Sequence, residues 1–588
     1  MACPDMTIKT LTGRLLYLSF ALCVVDCRPN VLFIVVDDLR PSLGCYGYPN
    51  VVTPNIDQLA SHSMMFTNAF SQQALCGPSR TAFLLSRRPE TTKKFDNVES
   101  YWRKFPGNFT TLPQHFKENG YHTVSVGKIF HPGSLSGRTD DYPYSWSEVP
   151  YHPSTEQFRD AKVCKGPGSE LYCNIVCPVK VSEQPQGTLP DIQSAQYAMQ
   201  FLRNRSQNGD KEQAPFFLAV GFHKPHIPLK YPEEYRKLYP LSEIHLAKDH
   251  TLPKGMPSVA WNPWEDLRRR DDVKRLNTSF PYGPVPKHFQ LLMRQSYYAA
   301  TTYMDDLLGQ VLSTLDELGL ANNTIISFIG DHGWSLGEHQ EWSKFSNFEV
   351  AVRVPLIVYI PGQKEPSGKL FPYINPFDAS SAEMQNSAVF SRKSIVTMTQ
   401  KQMFNSAIQK DSIHVKATNA LVELVDLFPT LSELAGLPVP QICPQNSSLI
   451  SFCSEGVSFC PIIKNAWLST MPNQVNWKTA VFSQYPRPSV EPQENSDQPH
   501  LKDIKIMGYS MRTPQYRYTE WVKYLKKRFV QDWSVVYARE LYDHDTDPLE
   551  DNNLADDPRF SALVTMLSSL LRAGWRNALP HNKTVMLL

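Results

Sequence analysis

No stretch of this chain beyond its first thirty residues approaches the roughly eighteen consecutive apolar residues that a membrane-crossing helix needs, so no membrane span is expected. An excess of charge of one sign is also missing. With 59 basic and 57 acidic residues the formal net charge is +2, which leaves no broad field to steer the chain toward nucleic acid. No tract interleaves basic residues with aromatics, so a nucleic-acid partner is excluded. The trio Arg268, Arg269 and Arg270 reads as a solvated loop rather than a polyanion-binding face.

What is present points to the secretory pathway. Lys9 and Arg14 precede a short apolar core at 15–25 and a polar exit at 26–30, the pattern of a signal peptide over residues 1–27. A luminal or secreted soluble product is expected. Sequons at Asn108, Asn204, Asn277, Asn322, Asn446 and Asn582 suit glycosylation on that route. Eleven cysteines fit an oxidising compartment. Cys164 with Cys177, and Cys443 with Cys453, can each close a short loop, while Cys45, Cys173 and Cys460 have no assigned partner. The 588 residues allow more than one domain, and 47 prolines, about 8% against a usual ~5%, predict long irregular connections.

Four apolar, β-branched runs share one design. The run 30–36 ends in Asp37 and Asp38, and 122–127 is followed by Lys128 and His131. The run 214–221 leads to His223, Lys224 and His226, and 324–330 to Asp331, His332 and then Lys344. Such runs read as buried parallel strands. They alternate with helical segments at 194–203 and 290–318, which is α/β arithmetic. Ligands in such sheets lie beyond the carboxyl ends of the strands, so the four polar sets are expected to converge. The segment 419–436 is predicted as one amphipathic helix with a proline kink, 379–418 as a disordered surface insertion, and 560–573 as a tail helix. Short strand signals from 475 onward predict a smaller α+β domain. The division expected is 28–462 for the catalytic domain and 463–588 for the smaller one.

The stretch LCGPSRTAFLLSRRP at 75–89 places Cys76 at the mouth of a helix, with Pro78 suited to its first turn. Free N–H groups and the helix dipole there attract anions. Arg80 adds a fixed positive fork. A lone cysteine at a helix start is most often a buried structural residue. Here, however, Asp37, Asp38 and Asp331 would crowd three negative charges near it, and buried carboxylates need pairing or a cation. With His332 they form a plausible Ca²⁺ cage. Calcium prefers oxygen, so His332 either ligates as the odd member or hydrogen-bonds a ligand. Arg80, Lys128, His131, His226 and Lys344 supply cations to grip a tetrahedral anionic ester.

The pattern Cys-x-Pro-Ser-Arg with its Arg-Arg-Pro exit resembles the signature of the type I sulfatases. In that family the cysteine is converted to formylglycine by a formylglycine-generating enzyme. A thiolate attacking a sulfate ester would be left with a stable sulfur–sulfur bond. An aldehyde hydrate avoids this, because one hydroxyl attacks and the other expels sulfate.

The resemblance extends to the iduronate-sulfate-cleaving branch through VDDLRPSLGCYG, NIDQLASHS, QQALCGPSR, VGKIFHPG, VGFHKPHIP, GDHGWSLGEHQEWSKFSNFEV and SQYPRPS…LKDIKIMGYSMR, across about 30–553. It implies an alkaline-phosphatase-like fold, a large mixed sheet flanked by helices with a smaller C-terminal α+β domain. It implies one Ca²⁺ held by Asp37, Asp38, Cys76 as formylglycine, Asp331 and His332. Arg80 and His131 would support the formylglycine, His131 as base. His226 would protonate the leaving group, Lys128 and Lys344 would bind sulfate, and Trp334 would line the sugar pocket. Both disulfide pairings follow the same pattern. The implied reaction is hydrolysis of the 2-O-sulfate of terminal iduronate in dermatan and heparan sulfate oligosaccharides, in lysosomes. Three departures stand out: Gln498 replaces a lysine that helps recognise the uronate carboxylate, the 379–418 insertion is long, and the chain diverges after Asp556. A related sulfatase, a phosphodiesterase of the same fold, and a glycan-binding pseudoenzyme are the alternatives. Cys76 argues against the second, and the complete site set against the third.

Overall fold

A computed structural model of the chain describes residues 28–207, 214–362, 368–379, 416–468 and 475–580. The expected signal peptide, most of the 379–418 insertion and Asn582 lie outside the described residues.

The elements that place the site are β1 (Asn30–Val36), α1 (Pro54–Ser61), β2 (Met64–Phe70), α2 (Cys76–Leu85), β3 (His122–Gly127), α3 (Pro190–Gln207), β4 (Phe216–Phe222), α4 (Lys287–Glu317), β5 (Thr324–Gly330), β6 (Arg353–Tyr359), β7 (Lys416–Glu423) and α5 (Leu427–Leu434). The strands form one seven-stranded sheet in the order β7-β2-β6-β5-β1-β4-β3. Only β6 runs antiparallel to its neighbours.

β1 shows why the run NVLFIVV becomes a central strand. Leu32, Ile34 and Val36 point into a core with α3 and α4, while Val31, Phe33 and Val35 point into a second core with α2. Both faces are covered, as an all-apolar parallel strand requires. Register then does the rest. Val36 sits opposite Phe222 on β4 and Gly330 on β5, and Gly127 sits opposite Gly221. Four strands therefore end at one level, and the residues that follow them share one edge.

The segment 419–436 is not one helix. Its first part is β7, paired in parallel with β2, and a tight turn at Leu424–Asp426 precedes α5. The leucines and valines of 419–425 suit either period, and pairing at a sheet edge decides the matter. Pro429 falls in the first turn of α5, where its missing N–H has no partner to lose, so no kink arises.

A second sheet follows as an antiparallel meander of β8 (Val481–Arg487), β9 (Ile506–Arg512), β10 (Tyr516–Leu525) and β11 (Val530–Asp543). The helix α6 (Ser561–Ala573) packs on one side through Leu567 and Leu571. The other side meets the first unit through Leu75, Phe345, Tyr485, Ile506 and Trp521. The fold is thus a large mixed α/β sheet with a smaller α+β unit against the edge that carries Cys76.

Cys164–Cys177 and Cys443–Cys453 are disulfides, and Cys45, Cys76, Cys173 and Cys460 are free thiols. Asn108, Asn204, Asn277, Asn322 and Asn446 are all exposed.

Candidate active site

Cys76 is the first residue of α2, after an extended Leu75, and all ten residues of that helix are buried. Its sulfur lies 3.2 Å from Asp37 Oδ1, 3.3 Å from His332 Nε2 and 3.2 Å from Lys344 Nζ. Burial, then Asp37, push the thiol well above its ordinary range. An unmodified cysteine here stays protonated and is a poor nucleophile.

The three aspartates converge as the strand ends dictate. Asp38 adopts a left-handed backbone (φ 59°), a conformation that an Asx side chain tolerates better than most. Its N–H donates to Asp331 Oδ1 (3.0 Å), as does that of His332 (2.9 Å). Arg80 holds the set from behind. Its Nε donates to Asp331 (2.9 Å), its Nη2 to Asp37 (3.1 Å), and its Nη1 to the carbonyls of Lys128 and Ile129. Arg80 therefore acts on position 76 through the carboxylates rather than by touching the sulfur.

Two ammonium groups face the aspartates. Lys128 Nζ lies 2.5 Å from Asp37 Oδ2, and Lys344 Nζ 2.6 Å from Asp38 Oδ1. Burial disfavours both charges, yet Asp37 for Lys128 and Asp38 for Lys344 more than offset it, so both stay protonated. Burial raises Asp37, but Lys128 foremost reverses this and takes it well below the carboxylate range. Burial pushes Asp38 up to about 7 and Asp331 up to about 6. Neither has enough positive charge around it in this arrangement.

His332 donates from Nδ1 to the Gly333 carbonyl (2.9 Å), which turns a free Nε2 lone pair toward Cys76, Asp38 and Asp331. Burial foremost keeps this imidazole neutral. Asp37, Cys76, Asp331 and His332 bring their donor atoms within 4.8 Å of one another. Asp38 Oδ2 is buried without a hydrogen-bond partner among the described residues. Crowded carboxylates, an orphaned oxygen and an aimed neutral imidazole fit a hard divalent cation.

His226 donates from Nδ1 to the Ile227 carbonyl (2.6 Å) and points Nε2 at Asp37 and Asp38, 3.9 and 3.8 Å away. His131 is half-buried, its Nδ1 enclosed with no partner among the described residues, and desolvation foremost brings it down to about 3. A cavity of about 260 Å³ opens from Asp37, Lys128, His131 and His226. Trp334 does not line it. Its ring is buried beneath the Lys344 ammonium, 5.4 Å away. Gln498 accepts from Asn97 Nδ2 at 3.4 Å, and Asn97 Oδ1 takes the Gly77 N–H at 2.8 Å.

Several residues that position the site were not singled out in the sequence. Lys344 lies between Ser343 (φ 73°) and Phe345 (φ 74°), two non-glycine residues in the left-handed region. That conformation costs of order 1–3 kcal/mol each. Asn262 Nδ2 grips the carbonyls of Trp342 and Lys344, and Arg487 Nη2 takes that of Phe345 (2.7 Å). Arg487 lies in SQYPRPS, yet nothing in that string says that its partners are carbonyls far away. Gly221 is another. A Cβ there would sit 2.1 Å from the Lys128 carbonyl oxygen. Gly221→Ala is expected to cost about 1–3 kcal/mol through overpacking and to depress kcat by displacing Lys128. Thermal unfolding and steady-state kinetics check this.

Fold and site together define an α/β ester hydrolase of alkaline-phosphatase-like architecture, built to hold a metal and an anion at a helix tip. The family model "Sulfatase" matches residues 29–437. Human iduronate 2-sulfatase is 52% identical over 548 residues, covering 92% of this chain and 93% of that protein. The chain belongs to the sulfatase family. A solved 2-O GAG sulfatase shares the fold at 20% identity and TM-score 0.57, over 93% of this chain and 91% of its own. The phosphonate monoester hydrolase of Silicibacter pomeroyi does so at 17% and 0.61, over 95% and 97%.

Proposed function

We propose that this enzyme hydrolyses the 2-O-sulfate ester of terminal iduronate 2-sulfate in dermatan and heparan sulfate, in the lysosome, after secretory glycosylation and conversion of Cys76 to formylglycine. The observation that carries the reading is the convergence of three aspartates and two charged lysines on the first residue of α2. The 52% identity to human iduronate 2-sulfatase supports the substrate. The exposed sequon asparagines and the two disulfides support the route.

Asp37, Asp38, Asp331 and His332, with an oxygen on residue 76, would hold one Ca²⁺. Bound there, the ion supplies Lewis-acid polarisation of an ester oxygen and neutralises the carboxylates. Residue 76, once converted to an aldehyde, would supply a hydrate with one hydroxyl as nucleophile and a second to release sulfate by re-forming the carbonyl. Lys128 and Lys344 hold the sulfate oxygens. His131, neutral through mild acid, accepts a proton at its unpartnered Nδ1. His226 delivers one from Nε2 to the departing sugar oxygen. An anionic ester at that place favours the protonated imidazole.

Wild-type protein from secreting cells is expected to release sulfate from a terminal 2-sulfo-iduronoside. It should not release it from a glucosamine 6-sulfate, nor hydrolyse a phosphate diester. A chelator should reduce turnover to background and added Ca²⁺ should restore it. Activity that survives exhaustive chelation, or a preference for either competing ester, would refute the reading.

A further inference from the structure

The loops that carry His131 and His226 are joined by a chain of alternating charges outside the reacting centre. It starts at Asp191, in the first turn of α3 and buried. Asp191 Oδ1 accepts the backbone N–H of His223 (2.8 Å) and its ring Nδ1 (3.1 Å), and Oδ2 accepts the Lys224 N–H (2.8 Å). These bonds fix the first half of a turn that His226 closes, its N–H donating to the His223 carbonyl (2.8 Å). On its other side His223 Nε2 lies 3.3 Å from Glu156 Oε1. Glu156 Oε2 in turn lies 3.4 Å from His152 Nδ1, and His152 Nε2 lies 3.1 Å from Asp140 Oδ2. The chain reaches the second loop at Asp140, a left-handed residue (φ 48°). Ser136 Oγ lies 2.8 Å from the His131 carbonyl and 3.2 Å from Asp140 Oδ1, so its one proton bridges the two acceptors.

Neither His152 nor Asp140 lines the cavity, whereas Glu156, His223 and Asp191 form part of its wall. Glu156 is the only member in contact with both imidazoles, so it is the link through which one loop senses the other. The charges suit that task. The neighbouring carboxylates of Asp140 and Glu156 raise His152 up to about 10. Burial lowers His223, but Asp191 and Glu156 more than reverse it, up to about 9.

We propose that Glu156 and His152 are positioning residues, a brace that sets the His131 and His226 loops at a fixed separation across the substrate. The inference rests on the proposed roles of those two histidines. Misplacing a catalytic group by about an ångström costs on the order of a hundredfold in rate. Loosening one strut is therefore expected to lower kcat by about ten- to a hundredfold and to leave KM within about twofold.

The test is a double-mutant cycle of Glu156→Gln, His152→Ala and the pair, read as kcat and KM on a fluorogenic iduronide 2-sulfate, with thermal unfolding alongside. If the two residues form one brace, the double variant is no slower than the slower single one. Multiplying losses would overturn the proposal, as would unchanged kcat in both singles. A rise in KM at constant kcat for E156Q would overturn it too, since Glu156 would then be a substrate contact. Should E156Q fail to fold, substitution of the exposed His152, His152→Ala, decides alone by its kcat-against-KM split. Wild-type enzyme that leaves the iduronide intact but cleaves a simple aryl sulfate would fault the substrate assignment. The cycle would then be read on the aryl ester.

Discussion

Cys76→Ala is expected to lose about four to six orders of magnitude in kcat, the scale on which removal of a covalent nucleophile is felt. Its fold is expected to survive. The thiol is a small buried group, and its neighbours Asp37 and Asp38 keep Lys128 and Lys344 as their partners. Thermal unfolding within a few degrees of wild type, with sulfate release at background, is the result to look for. Cys76→Ser tests the chemistry more sharply. A serine hydroxyl preserves size and polarity but cannot become a hydrate, and under the two-hydroxyl scheme it attacks at most once. Mass spectrometry of the residue 76 peptide separates the remaining possibilities. An unmodified thiol in fully active protein would refute the scheme.

Arg517→Met is expected to be the most destabilising single change at the junction of the two units, by about 3–5 kcal/mol, since it strands buried carboxylates. Arg517 lies on β10 with a buried side chain, donating to Glu550 Oε1 (2.6 Å) and to Glu349. Arg512 reaches Glu349 at 3.1 Å, His544 reaches Glu550 at 3.0 Å, and the Glu349 N–H donates to Glu550 Oε2 (2.7 Å). Glu349 follows the loop of Lys344, so the cluster fastens the second sheet to the edge of the site. Burial raises Glu550, but Arg517 and then His544 outweigh it and bring it to about 2. A depressed carboxyl adds stability that is present above its ordinary value near 4.5 and is lost as pH falls through about 2. The contribution is therefore intact in mild acid. The variant should show a lower thermal midpoint at neutral pH, and the gap to wild type should narrow below about pH 4. A gap independent of pH down to 2 would mean that the charge pairing is not what Arg517 contributes.

How much was legible in the sequence follows from what each residue bonds to. Asp37, Asp38 and Asp331 could be found because a doubly covered strand carries no charge along its length and stops at its first one. The strand registers then bring those stops together. The helix start at Cys76 was legible through Pro78 and the free N–H groups of a first turn. Asn262, Arg487 and Asp191 were not, because their partners are backbone groups that only the tertiary fold delivers. The segment 419–436 misled for a related reason. Its leucines and valines serve two periods equally, and β2, some 350 residues earlier, chooses between them. Trp334 was expected at the sugar and instead underlies Lys344, since nothing local distinguishes an aromatic that meets ligand from one that supports a cation.

The complete burial of α2 sets an order of events. Cys76 is 1% exposed, and the carboxylates, lysines and imidazole around it come from segments as distant as Asp37 and Lys344. Any catalyst that oxidises this thiol has to meet it while the strands are still apart. Once the sheet has assembled, the side chain is out of reach, and a molecule that folds unconverted remains so. Under the proposed conversion the fraction of active enzyme would be set by a race between modification and folding, and slowing collapse of the nascent chain would raise specific activity without altering a single contact.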